Sequence, residues 1–270
     1  KVAVAFLAGV PVITKPATAT AHLTWRMVQI LVEADILPKG SLSLLCGSAG
    51  DLLDHLGPQD GIAFTGSADT GAMLRGHASV VERSTRINIE ADSLNSAVLG
   101  PDVEVGSGLW HAAVRNIVKD ITQKTGQKCT AVRRILVPES ITDALQEALV
   151  EELSRVQVGF PLDRSVGMGP VATASQLRDV RAGIQALSEE ADIVLGGADP
   201  VEGAHTDAGK GFFVAPTLLR ARDSASAEKL HHLEVFGPCA TLVPYDGSAE
   251  GAGSLVAKGQ GMLVSSIYAD

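Results

Sequence analysis

Short apolar segments alternate with segments of helical periodicity along the first part of the chain, and this alternation constrains the fold more than any other feature. Residues 10–15, 42–46 and 62–64 are typical of short buried strands. After the first strand, apolar residues recur at helical spacing, and Thr18 or Thr20 can cap that helix. Strands that alternate with helices at this pace predict βαβ units and a parallel, doubly wound sheet.

A second α/β lobe is expected to follow the alternating strand 86–90, in which Ile87 and Ile89 face one side and Glu90 the other. Ser140 and Asp143 resemble a capping box at the start of a helix. We predict further helices at 110–122 and 173–189, strands at 131–137, 193–195, 212–214, 240–244 and 262–268, and glycine-rich loops at 197–211 and 245–253. Residues 1–9 are expected to form the end of a helix.

Composition limits the classes of function. The 270 residues carry a net charge of −9, which argues against nucleic acid or an anionic membrane as the main partner. The three cysteines, Cys46, Cys129 and Cys239, are widely spaced and odd in number, which argues against a disulfide framework or a zinc site. Such cysteine usage is typical of a reducing compartment, and we expect a cytoplasmic protein. No apolar run reaches the roughly 18 residues of a membrane span, and the apolar start lacks the small-residue cleavage site of a signal peptide.

Cys129 has the sequence context of a reactive thiol. It follows Gly126, Gln127 and Lys128, which predicts a turn that presents the sulfur to a cleft, and Lys128 and backbone N–H groups favour the thiolate. A lone cysteine is more often a small buried hydrophobic residue. Cys46 and Cys239 lie in apolar, strand-like segments, and we assign that structural role to them.

Three other features are candidates for chemistry or binding. A carboxylate at the position of Glu90 is usually solvated. In a partly dry cleft its pKa would be raised, which would suit a general base. Lys15 ends a strand at the edge where doubly wound sheets bind nucleotides. A solvated lysine at the edge of a sheet explains this feature by itself at least as well. Gly66 and Ser67 open a helix that offers N–H groups to a pyrophosphate. No GxGxxG motif is present, and the adjacent His231 and His232 make a poor metal pair, so we expect no metal.

The motifs together resemble the aldehyde dehydrogenase superfamily. The segments KPA at 15–17, FTGS at 64–67, GQKC at 126–129 and EVFGP at 234–238, with Glu90 between them, have the order and approximate spacing of that family. VGFPLD at 158–163, MGP at 168–170 and GFFVAPTLL at 211–219 are similar to its connecting segments. The resemblance implies an aldehyde dehydrogenase-like α/β fold. Residues 1–91 would be part of a doubly wound parallel NAD(P)-binding domain, and residues 92–270 a thiol-bearing catalytic domain, incomplete at its C-terminal end.

Within the superfamily, EADSLN at 90–95, KPATAT at 15–20 and CGSAGDLLDHL at 46–56 look like the PaaZ-type enzymes of phenylacetate catabolism. A related branch acts on the semialdehyde of a CoA-dependent benzoate route. The resemblance therefore implies a small-molecule aldehyde, CoA-linked and from aromatic-acid catabolism, as substrate, and a homo-oligomer as the assembled protein. The alternative is a non-catalytic module that only binds or scaffolds.

The resemblance also implies roles for single residues. Cys129 would attack the aldehyde, and Glu90 would activate the water that hydrolyses the resulting thioester. Lys15 would bind the adenosine ribose, Thr18 would lie near its 2′ position, and Ser67 would bind the pyrophosphate. The remaining cofactor residues would be Phe64 and Gly66 of the same FTGS motif, and Glu234 and Phe236 at the nicotinamide-ribose end.

Two departures from the family pattern lead to further expectations. Many NAD-using members carry a glutamate three residues after the lysine, and here that residue is the uncharged Thr18. We therefore predict NADP as the cofactor, with NAD as the alternative. The upstream segment with the side-chain amide of the oxyanion hole is not found, so we expect the chain to be a portion of a longer polypeptide.

Overall fold

The computed structural model describes residues 1–270, which divide into two compact units, Lys1–Ala91 and Asp92–Asp270. Both units contain helices and predominantly parallel strands, which confirms the predicted α/β class. The assignment of cofactor binding to the first unit and thiol chemistry to the second stays a prediction. No helix in the chain has both the length and the apolar character that a membrane crossing requires.

The first unit is built from two βαβ arrangements. Hydrogen bonds join β1 to β2 and β3 to β4, both in parallel, so its strands form two pairs. The helices are α1 (Val2–Leu7), α2 (Ala21–Glu33), α3 (Ala68–Arg75) and α4 (Ala78–Glu82), and the strands are β1 (Val12–Thr14), β2 (Leu42–Leu44), β3 (Gly61–Gly66) and β4 (Arg86–Ala91). Short 3-10 helices cover Thr18–Thr20 and Leu52–His55.

The register of β3 and β4 brings two predicted motifs together. Thr65 is paired with Glu90, and Gly66 with Ala91, at the carboxyl ends of both strands. The carboxylate of Glu90 therefore lies beside the FTGS segment, although the two are 25 residues apart along the chain.

The second unit is a six-stranded sheet covered by helices. Its strand order is β10-β5-β6-β9-β8-β7, and all neighbours are parallel except the antiparallel pair β7 and β8. The strands are β5 (Ser96–Leu99), β6 (Arg134–Pro138), β7 (Ala191–Leu195), β8 (Thr217–Ala221), β9 (Cys239–Tyr245) and β10 (Ser265–Tyr268). The helices are α5 (Gly108–Thr122), α6 (Thr142–Ser154), α7 (Ala174–Leu187), α8 (Lys229–His232) and α9 (Ala249–Ala257), with 3-10 segments at Gln123–Gly126 and Glu139–Ile141.

Helix α5 shows why this unit has a large core. Its buried residues recur every three or four positions, which places one apolar stripe against the sheet. Ser107 begins the helix by accepting a hydrogen bond from the Trp110 N–H at 3.1 Å. The stripe packs with residues of β5, β6 and α6 in a single cluster that includes Ile117, Ile135 and Leu149, all at most 1% exposed.

Two element predictions in the second unit are wrong. Residues 212–214 form no strand; the strand is β8, which begins after Pro216, a residue without the N–H that a ladder requires. The predicted loop 245–253 contains the start of α9, which Ser248 caps by accepting from the Gly251 N–H at 2.9 Å. Glycines at 251 and 253 concealed this helix, because glycine has a poor helix propensity.

Two predicted helix caps are also wrong. Ser140 lies inside a 3-10 segment, and α6 begins at Thr142 without a side-chain cap. Thr20 precedes α2, but its hydroxyl donates to the Ala17 carbonyl instead of accepting from the helix. Thr18 opens the short 3-10 helix before it and makes no side-chain cap there.

Candidate functional site

Cys129 lies on an exposed turn of the second unit, between the segment Gln123–Gly126 and β6, as its context predicted. Three successive residues before it, Lys124, Thr125 and Gly126, have positive φ angles of 54°, 56° and 67°. Only glycine fits at position 126, because a Cβ there would lie 2.0 Å from the Gly237 carbonyl oxygen. The turn that carries the thiol is therefore packed directly on the Gly237 backbone.

Asn95, a residue that sequence reasoning missed, holds the other side of this turn. Its buried amide donates to the carbonyls of Cys129 and Ala131, both at 2.9 Å. Its oxygen accepts from the Ser93 hydroxyl at 2.6 Å and from the Val264 N–H at 3.0 Å. The Cys129 backbone is thus fixed while its sulfur stays exposed. Nothing in its local sequence, where Ser93 and Ser96 are also polar, distinguishes Asn95 from a solvated loop residue.

The other two cysteines differ from each other. Cys239 is buried at the start of β9, and burial raises the pKa of its thiol to about 12, which keeps it protonated. Cys46 follows β2 and is exposed. The expectation that Cys46 is a buried structural residue is therefore wrong: the strand ends two residues before it. The accessible thiols are Cys46 and Cys129.

Glu234 is almost completely buried in a pair with Arg133. One carboxylate oxygen lies 3.2 Å from Arg133 Nε, and the other accepts from the Ser93 N–H at 2.9 Å. The side chains are 7% and 4% exposed. Burial raises the pKa of Glu234 against the opposing attraction of Arg133, and burial likewise lowers the pKa of Arg133.

Phe236 lies beside this pair and is 39% exposed. The Arg133 guanidinium carbon lies 5.5 Å from the centre of its ring, within the range of a cation–π contact. Through Arg133, the structure brings together three of the predicted site residues of the second unit: Cys129, Glu234 and Phe236. Arg133 itself was missed, because nothing in its local sequence distinguishes it from a solvated arginine.

The predicted nucleotide residues of the first unit are exposed at the ends of strands. Lys15 directly follows β1, and its ammonium donates to the Pro16 carbonyl at 3.2 Å. Thr18 is exposed three residues later. Ser67 begins α3, and its hydroxyl oxygen accepts from the Thr70 N–H at 3.4 Å.

Gly66 and Phe64 shape the backbone just before α3. A Cβ at Gly66 would lie 2.5 Å from the Phe64 ring, so a larger residue would clash here. With glycine, no side chain covers the exposed backbone at this position. A carboxylate, Asp69, lies in the first turn of α3. A bare backbone at a helix N-terminus is suited to an anion, and Asp69 opposes that preference.

Glu90 lies next to this segment with a side chain that is 48% exposed. Its carboxylate is 3.3 Å from the Lys1 ammonium and accepts from the Thr65 hydroxyl at 3.3 Å. In the first unit, the structure therefore brings Glu90 together with Phe64, Gly66 and Ser67. Nowhere in the chain do three or more His, Cys, Asp or Glu side chains form a group that could hold a metal ion.

The family model for the aldehyde dehydrogenase family matches residues 1–269, so the chain belongs to that family. A 3,4-dehydroadipyl-CoA semialdehyde dehydrogenase from Aromatoleum evansii is 48% identical over 268 residues, covering 99% of this chain and 52% of that protein. An alpha-ketoglutaric semialdehyde dehydrogenase from Bacillus subtilis is 29% identical, covering 93% of this chain and 49% of its own length. The chain thus spans about half the length of these relatives.

Solved structures show the same fold. Betaine aldehyde dehydrogenase from Staphylococcus aureus, crystallised as a point mutant with NAD⁺, superposes with a TM-score of 0.87 at 26% identity, covering all of this chain and 53% of that one. An aldehyde dehydrogenase from Bartonella henselae gives a TM-score of 0.86 at 25% identity, covering all of this chain and 54% of that one.

Proposed function

We propose that this chain belongs to an NADP-dependent enzyme that oxidises a CoA-linked semialdehyde to the carboxylic acid, with Cys129 as the nucleophile. The observation that carries the proposal is the exposed thiol of Cys129 on a turn whose backbone is fixed by the buried Asn95, in a chain of the aldehyde dehydrogenase family. The name of the 48% identical relative supports the substrate class.

In the proposed reaction, the Cys129 thiolate attacks the aldehyde carbon, and a C–S bond forms as the carbonyl oxygen takes up the negative charge. The Cys129 peptide N–H has no backbone acceptor within the chain, which supports a role for it as a hydrogen-bond donor to that oxygen. When bound, the nicotinamide cofactor supplies the acceptor for the hydride that leaves this carbon. Cys129 is then held as a thioester of the acid.

Glu90 is proposed to complete the cycle as a general base. Its carboxylate takes a proton from a water molecule, whose oxygen attacks the thioester carbonyl. The C–S bond then breaks, and the acid and the Cys129 thiolate are released. The exposure of the Glu90 carboxylate supports this role, because a base that acts on water must reach it.

The residues of the first unit fit a dinucleotide. Lys15 would attract a phosphate or bond a ribose, Thr18 would lie near the 2′ position, and Ser67 would bind the pyrophosphate at the start of α3. The bare backbone at Gly66, beside Phe64, supports this fit. In the second unit, Glu234 and Phe236 are proposed to lie at the nicotinamide-ribose end.

The activity test uses thiol variants of the native protein. We expect Cys129→Ala to abolish aldehyde-dependent cofactor reduction, and Cys46→Ala, the matched exposed thiol, to keep normal turnover. Substrate aldehyde should also block stoichiometric labelling of Cys129. Normal turnover of Cys129→Ala, or no reduction by the unmutated protein with any semialdehyde, would show a module that does not catalyse this reaction.

The cofactor preference follows from charge at position 18. A 2′-phosphate carries close to two negative charges, which Lys15 attracts and which the uncharged Thr18 does not repel. We expect a higher kcat/KM with NADP than with NAD, and a shift towards NAD in Thr18→Glu. The matched control is Thr18→Gln, which adds a side chain of similar size without charge. An NAD preference in the unmutated protein would contradict the prediction.

We also propose that the protein acts in the reducing cytoplasm and as a homo-oligomer. The three cysteines are free, and two of them are exposed, which suits a reducing compartment. The family resemblance supports assembly, and size-exclusion chromatography with light scattering of the native protein measures it.

A further inference from the structure

The side chain of Arg133 is buried beneath the Cys129 turn, where its charge is paired with the Glu234 carboxylate and its other hydrogen bonds go to backbone carbonyls. Nη1 donates to the Gly237 carbonyl at 3.0 Å. Nη2 donates to the Gly126 carbonyl at 2.9 Å and to the Lys128 carbonyl at 3.4 Å. Nε donates to the Glu234 carboxylate at 3.2 Å. One planar group therefore bonds four different residues.

These partners belong to two loops. Gly126 and Lys128 are part of the loop 126–131, which carries the Cys129 thiol, and we name it the thiol loop. Glu234 and Gly237 are part of the loop 233–238, which also carries Phe236, and we name it the Glu234 loop. The two are about 100 residues apart along the chain, so the guanidinium joins segments that local sequence cannot hold together.

The geometry of the guanidinium fixes direction as well as distance. Arginine presents its N–H groups in a rigid planar fork, so four acceptors around it must keep a fixed mutual arrangement. The Glu234 carboxylate is held on its second oxygen by the Ser93 N–H, which leaves it one orientation. The Arg133 cation also lies over the Phe236 ring. Arg133 therefore bonds the thiol loop and the Glu234 loop at the same time.

We propose that Arg133 is a positioning residue for the aldehyde oxidation: it couples the thiol loop to the Glu234 loop and so sets where the Cys129 sulfur lies relative to Glu234 and Phe236. This inference rests on the proposed function. Arg133 touches no substrate atom in it; it acts through the Cys129 backbone and the Glu234 carboxylate.

The test is a double-mutant cycle in the native protein with Arg133→Met, Glu234→Gln and the combined variant, measured as kcat and as KM for the cofactor. We expect Arg133→Met to lower kcat by about 10-fold or more and to raise the cofactor KM, because misplaced reacting groups lose rate steeply. The combined variant should lose less than the product of the two single losses, since coupled residues are not additive. Arg133→Lys should recover part of the loss.

The matched control is Arg220→Met. Arg220 pairs with the exposed carboxylate of Asp143 in the same unit and also donates to Gln146, neither of which belongs to the thiol loop or the Glu234 loop. Its loss should leave kcat and KM unchanged. A purely structural role for Arg133 would lower stability without changing the ratio of kcat to KM in the folded fraction. Additive effects in the cycle would overturn the proposal.

A second readout does not depend on catalysis. We expect the rate of Cys129 alkylation by iodoacetamide to change several-fold in Arg133→Met and to stay constant in Arg220→Met. If the unmutated protein oxidises no aldehyde, the proposed function fails, and an unchanged alkylation rate would separately overturn the role of Arg133. If Arg133→Met does not fold, Arg133→Met with Glu234→Leu removes both buried charges, and the same alkylation comparison decides.

Discussion

At the scale of single residues, the Glu90 carboxylate contributes little to the stability of the fold. Its ion pair with Lys1 joins two partly exposed side chains, 33% and 48% exposed, and such pairs contribute at most about 1 kcal/mol. Its removal should therefore leave the fold intact. Any loss of activity in a Glu90 variant would then report on the chemical step rather than on stability.

We expect Glu90→Gln to slow thioester hydrolysis more than hydride transfer. Stopped-flow absorbance should show a burst of reduced cofactor of about one equivalent per site, followed by turnover slowed on the order of 100-fold, the usual contribution of a general base. Asp92→Asn, a nearby carboxylate change, serves as the control. Loss of both the burst and the turnover would indicate instead that Glu90 activates Cys129.

At the scale of elements, the thiol loop depends on glycine at position 126. Gly126 has a φ of 67°, and an added Cβ would meet the Gly237 carbonyl oxygen and the Pro238 nitrogen. Gly106 has a φ of 82° with nothing within 4 Å of the same position. An alanine at Gly106 would therefore introduce backbone strain alone, and an alanine at Gly126 would introduce both backbone strain and steric overlap.

We expect Gly106→Ala to lower the free energy of unfolding by about 1 kcal/mol, the cost of a left-handed alanine. Gly126→Ala should cost at least about 2 kcal/mol more, because backbone atoms must move as well. It should also alter the alkylation rate of Cys129, which Gly106→Ala should not. Urea denaturation with an unchanged m-value measures both. Equal losses in the two variants would show that the contact with Gly237 is unimportant.

At the scale of the whole molecule, burial is very uneven between the two units. All three apolar core clusters belong to the second unit. In the first unit, α2 has no buried residue, and Leu23, Trp25 and Met27 are 48–63% exposed. A unit with so little buried apolar surface has little to offset its conformational entropy.

For the 270-residue chain expressed by itself, we expect amide hydrogen exchange to be faster in the first unit than in the second. Amides of β6 and β9 should exchange only through global unfolding, and those of β1 and β2 at least about 100-fold faster. Exchange followed by mass spectrometry measures this, with the buried strand β5 as an internal reference. Equal protection in β1 and β6 would contradict the prediction.

Local features of the sequence were sufficient to predict most of the elements and the turn at Cys129. Each of these signals involves only a few neighbouring residues, so it can be recognised from the sequence alone. Examples are the apolar stripe of α5, the alternation in β4 and the glycine before Cys129. The roles assigned to Cys129, Glu90 and Lys15 remain predictions.

Only the tertiary structure decided which polar groups are buried. From the sequence, Arg133 is expected to be a solvated cation and Asn95 a loop residue, yet both are buried and hold the thiol loop. Arg133 bonds Gly237, 104 residues away along the chain, and Asn95 bonds Val264, 169 residues away. The strand order β10-β5-β6-β9-β8-β7 is likewise decided by contacts remote in sequence. A charge or amide can be buried only where distant backbone groups satisfy its hydrogen bonds, and local sequence does not contain that information.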